Sequence, residues 1–90
     1  MCASSVHAAE PYKIGAVFAI TGPAALLGEP ERNTAVMLTE QINAAGGIAG
    51  RQVRLVMADY QTDATIGVGE AKRLIQQEKV ELMVGPTYSQ

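Results

Sequence analysis

Apolar residues are distributed along this chain in two alternating ways. Short unbroken runs rich in β-branched residues occupy residues 13–20 (KIGAVFAI), 52–59 (QVRLVMAD) and 80–84, and these predict three strands. Between them the apolar positions recur at helical spacing. Ala35, Leu38 and Ile42, flanked by Met37, form one face of a first helix, with Glu40 and Gln41 on the water side. Val68, Ala71, Leu74 and Ile75 form the stripe of a second.

Local signals set the expected boundaries. A loop runs from Thr21 through Gly28, and Pro30 suits the first turn of the first helix, where its missing N–H costs nothing. Glu29 and Glu31 then favour the positive end of the helix dipole. Asn43 to Arg51 (NAAGGIAGR) ends this helix: the paired glycines supply the left-handed backbone that stops it, Ile48 folds back on the last turn, and Gly50 permits a second bend. Asp63 is the expected N-cap of the second helix, which runs to about Glu78. Gly67 and Gly69 each cost a helix interior about 1 kcal/mol relative to Ala, which predicts frayed first turns.

The resulting order is β-α-β-α-β with short, right-handed connections. The fold class is α/β, the start of a doubly wound parallel sheet with strand order 2-1-3. Ligands of such sheets bind beyond the carboxyl ends of the strands, at the switch point between strands one and three. Two loops, 21–28 and 85–90, leave the sheet there, from strands about 4.8 Å apart. In the 2-1-3 order, strands two and three are open edges.

Composition narrows the function. Ninety residues allow one small domain. The apolar fraction is 48% with one Phe and no Trp, a core of aliphatic residues suited to a parallel sheet under helices. A net charge of −2 with scattered Lys and Arg offers no footprint for nucleic acid. No run reaches the roughly 18 apolar residues of a membrane span. Cys2 is the sole cysteine, so an internal disulfide is excluded. Residues 1–11 read as a leader or signal-peptide remnant, because Val6-His7-Ala8 has the small residues that precede an export cleavage. Residues 12–90 read as an incomplete N-terminal lobe.

Candidate chemistry is sparse. Gly67-Val68-Gly69 follows no strand and lacks the third glycine of a dinucleotide fingerprint, and no Gly-Lys-Ser/Thr marks a phosphate loop. His7 is the only histidine and lies in the leader. Asp59 and Asp63 flank a loop, where capping and loop hydrogen bonding suit them better than a metal. Nothing calls for a cofactor or a metal, and no catalytic residue is assigned. Thr87-Tyr88-Ser89 is more suggestive: hydroxyls and backbone N–H groups cluster at the switch point, where a carboxylate or polar ligand could be held. An ordinary polar loop is the alternative.

The motifs KIGAVFAITGPAALLGEPERN, INAAGGIAGRQVRL, AKRLIQQEKV and VGPTYSQ, in this order from Tyr12 to Gln90, resemble the branched-chain amino-acid (Leu/Ile/Val) substrate-binding proteins of ABC transporters. These are type I periplasmic binding proteins, several times longer and built of two lobes. The resemblance implies a ligand gripped between the lobes, with Ser89 binding its α-carboxylate and Thr87 and Tyr88 beside it. It also places the loop opened by Thr21 in the cleft, with Leu27 where some members carry an aromatic residue against the ligand. A periplasmic, exported protein that passes a small amino acid or related polar solute to a membrane permease is implied, and no enzyme. A sensor or receptor domain of the same fold is the alternative. With one cleft wall supplied, the 90 residues alone are expected to bind weakly or not at all.

Overall fold

The three apolar runs pair as parallel strands. The computed structural model describes residues 10–87, and its elements follow the order β1 (Tyr12–Phe18), α1 (Ala25–Ala44), β2 (Val53–Asp59), α2 (Ala64–Gln76) and β3 (Leu82–Val84). β1 is central, giving the sheet order β2-β1-β3. Tyr12 stands opposite Val53 and Phe18 opposite Asp59, while Ile14 to Ala16 pair with Leu82 to Val84.

Strand alternation then sorts side chains between the helices. Gly15 and Val17 face α2: a Cβ on Gly15 would sit 3.2 Å from Leu74, and Val17 packs with Ala58, Tyr60 and Leu74. Ala16 and Phe18 take the opposite face and are also buried. Leu74 is the anchor of α2, fully removed from water. Asp63 caps this helix as expected, its carboxylate accepting from the N–H groups of Thr65 (2.8 Å) and Ile66 (3.2 Å). The first turn is therefore intact, contrary to the fraying expected from the glycines. Gly67 earns its place by packing, since a Cβ there would press on the Tyr60 ring at 3.3 Å.

Helix α1 departs from expectation at its start. It begins at Ala25, so Leu27 and Gly28 are helical rather than loop, Pro30 lies inside the second turn, and no acidic residue occupies the first turn. The cause is Gly28: any Cβ there would collide with the Ala19 carbonyl oxygen, so the bare backbone lets the helix lie directly on the end of β1. Pro30 is tolerated because the bond it cannot make belongs to the carbonyl of Leu26, a residue 89% exposed and open to water. The apolar face is also narrower than its spacing suggested. Ala35 and Ile42 are half-buried, whereas Met37 and Leu38 are largely exposed. On α2, Val68 and Ile75 are likewise exposed, leaving Leu74 and the half-buried Ile66 and Ala71 to make the contact. A helix over so few strands buries a narrow strip, and residues turned sideways meet nothing among the described residues.

The turn after α1 closes as its glycines require. The N–H of Gly47 reaches the Ile42 carbonyl (2.8 Å) and that of Gly46 the Asn43 carbonyl (3.1 Å), with φ of +84° and +106°: a Schellman closure. Ala49 and Gly50, both at positive φ, then reverse the chain so that Ile48 and Arg51 exchange backbone hydrogen bonds. Ile48 is consequently half exposed instead of folded onto α1. Arg51 secures the amino edge of the sheet, stacking 3.7 Å from the Tyr12 ring centroid and donating to the Glu10 carbonyl.

Candidate functional site

At the carboxyl edge β1 ends level with β2 and two residues past its pairing with β3, and the N–H groups of the loop that follows must find partners other than strands. The N–H of Tyr60 still reaches the Phe18 carbonyl. Beyond it, side chains take over. The Ala19 N–H donates to Thr87 Oγ1 at 2.8 Å, which ties the loop after β3 to the end of β1. On the other flank Asp59 Oδ1 accepts from the N–H groups of Ile20 (2.9 Å), Thr21 (3.2 Å) and Gln61 (2.8 Å), and Oδ2 accepts from Thr21 Oγ1 at 2.6 Å. Thr62, held at φ +60°, donates to the Thr21 carbonyl and accepts from the Ala24 N–H, both at 3.1 Å.

Burial alone would raise the Asp59 pKa. The hydrogen bonds from the Thr21 hydroxyl and from the N–H groups of Gln61, Thr21 and Ile20 outweigh it, and the carboxyl is held below the ordinary carboxylate value. Asp59 is thus an ionised hub.

Thr21 and Thr87 flank the same strand end, on the β2 and β3 sides, and both hydroxyls are engaged within the protein. Leu27 lies in the first turn of α1, 54% exposed, beside the still more exposed Leu26. With Pro23, Ala24 and Thr62 these leucines line a depression of about 270 Å³. Tyr88 and Ser89 lie outside the described residues. A larger groove of about 440 Å³ runs over the α2 face between Val68, Met83 and Pro86, and Thr21, Leu27 and Thr87 are not among its lining residues. Among the described residues no group of His, Cys, Asp and Glu is placed to hold a metal ion, and no helix is long and apolar enough to cross a membrane.

Sequence reasoning missed Leu26 and Thr62. Leu26 was hidden because the helix was expected to start after it. Thr62 carries no signal of its own, because its left-handed backbone appears only in the folded loop.

This arrangement, a parallel sheet in 2-1-3 order with the exits of β1 and β3 joined at its carboxyl edge, matches known proteins. The description of the periplasmic binding protein family fits residues 11–90, and the chain belongs to that family. It is a family of extracytoplasmic solute-binding proteins rather than of enzymes. Among relatives, a Leu/Ile/Val-binding protein homolog 7 from Brucella suis is 35% identical over 94% of this chain and 21% of its own length. An amino acid binding protein from Pseudomonas aeruginosa is 40% identical over 90% of this chain and 22% of its own. Among solved structures, the branched-chain amino acid transporter substrate-binding protein LivJ from Streptococcus pneumoniae, in complex with isoleucine, superposes with a TM-score of 0.83. It is 36% identical and is covered over 22% of its length by 84% of this chain. The chain spans about a fifth of the length of these relatives.

Proposed function

We propose that this chain forms the beginning of the first lobe of an exported, periplasmic solute-binding protein. The protein captures a small amino acid or related polar solute between two lobes and delivers it to the permease of an ABC importer. It carries out no covalent chemistry, and closure of the lobes on the solute is the working step. Residues 12–90 belong to the lobe and residues 1–11 to the leader. The observation that carries this reading is the convergence of the loops after β1 and β3 at one edge, with Leu26 and Leu27 exposed there, in a chain related to Leu/Ile/Val-binding proteins. In this reading Leu27 and Thr21 face the solute from the first loop, and Thr87, Tyr88 and Ser89 from the second, with Ser89 on the solute carboxylate.

A chimera tests it. Residues 12–90 replace the corresponding segment of the isoleucine-binding Streptococcus pneumoniae relative, and binding of amino acids, amides and aromatic acids is measured by calorimetry. Binding lost on Ser89→Ala is the expected result. A folded chimera that binds no member of the panel would overturn the reading.

A further inference from the structure

We infer that Asp59 and Thr62 are positioning residues: from the end of β2 they set the wall on which Leu26 and Leu27 stand. The inference rests on the solute-binding reading only for the use of that wall. Past Phe18 the loop has lost its strand partners, and the N–H groups of Ile20, Thr21 and Ala24 are each received by a side chain from residues 59–62. Helix α1 has Ala24 at its N-cap and no side-chain cap of its own. Thr62, from a different loop, accepts the N–H of the N-cap residue Ala24 itself, and its hydroxyl hydrogen goes to the Thr21 carbonyl, so one side chain grips both ends of the segment between them. Gly22 makes this close approach possible: at φ +90° it lies against the Gln61 carbonyl, where a Cβ would clash. Leu26 and Leu27 follow Ala24 within three residues of helix, so their orientation is inherited from the loop after β2. Neither Asp59 nor Thr62 was assigned to the ligand by sequence, and neither needs to touch it.

Residue-resolved hydrogen exchange and methyl spectra of the 90-residue chain test this, with the variants Asp59→Ala, Asp59→Asn, Thr62→Val and Thr62→Ser. In Asp59→Ala the amides of Ile20 and Thr21, and in Thr62→Val that of Ala24, are expected to exchange about tenfold faster or more. The amides of Val17 and Ala58 stay within about twofold of the unsubstituted chain. The Leu26 and Leu27 methyl resonances move while those of Leu74 do not, a signature that general loss of stability does not produce. Thr62→Ser, which keeps the hydroxyl, restores the Leu27 signals. Should Asp59→Ala unfold, Asp59→Asn keeps the shape and the three N–H acceptor contacts, and still moves the Leu27 methyls through the lost charge and the changed Thr21 contact. Unmoved leucine methyls, uniform loss of protection, or unprotected Ile20 and Thr21 amides in the unsubstituted chain would each overturn the inference. Failure of the solute reading shows instead in the chimera, which reports binding and not loop geometry.

Discussion

The side-chain amide of Asn43 pairs with the backbone of Val53 as a neighbouring strand would: its Nδ2 donates to the Val53 carbonyl at 2.8 Å, and its Oδ1 accepts the Val53 N–H at 2.7 Å. The last turn of α1 is thereby fastened to the first residue of β2. Val53 is buried, so neither backbone group has ready access to water.

Asn43→Ala leaves both groups unsatisfied and is expected to cost about 1–3 kcal/mol. Asn43→Asp keeps the acceptor but loses the donor to the carbonyl and falls between the two. Urea denaturation of the three chains, compared at equal slope, provides the check.

Gly28 tests how closely α1 must approach β1. A methyl group there meets the Ala19 carbonyl oxygen, so Gly28→Ala forces the helix outward in spite of the better helix propensity of alanine. Destabilisation of about 1–3 kcal/mol is expected. A melting temperature unchanged or raised by Gly28→Ala would refute the close contact.

The hydrogen bonds to Asp59 predict an acid-sensitive loop. Its folded pKa is depressed, so its contribution to stability is complete above the unfolded value of about 3.9. That contribution is lost as pH falls through the lower folded value, where the native carboxylate finally takes up its proton. Asp59→Asn is expected to flatten the stability profile on the acid side, and denaturation curves collected from pH 2 to 6 measure it.

The edges of the sheet predict self-association. On β3, Leu82 is 64% and Val84 48% exposed, on a strand whose only partner among the described residues is β1. Such an edge is a template for pairing with another chain. Sedimentation of the 90-residue chain is expected to show concentration-dependent oligomers, and Leu82→Lys to shift it toward monomer.

Much of this was legible from spacing alone. The three strands and both helices follow from unbroken apolar runs and period-3.6 stripes, the 2-1-3 order from the short right-handed connections of a doubly wound sheet, and the Asp63 cap from one well-placed acceptor. The site was legible only in outline. Family resemblance points to Leu27 but places it in a loop, and the sequence marks Asp59 as a loop acceptor without a sign of which amides it serves. Beside the local amide of Gln61, two of those amides, of Ile20 and Thr21, are 39 and 38 residues away in the chain, and no local pattern reports such a pairing.

By itself, then, the sequence determined the elements, their order and the turn that closes α1, because each depends on residues within one or two turns of one another. The tertiary structure decided where α1 begins, which leucines remain exposed and how the loop after β1 is held. Those outcomes depend on backbone from distant segments meeting at the end of β1: Gly28 against Ala19, Asp59 against Ile20 and Thr21, and Thr87 against Ala19.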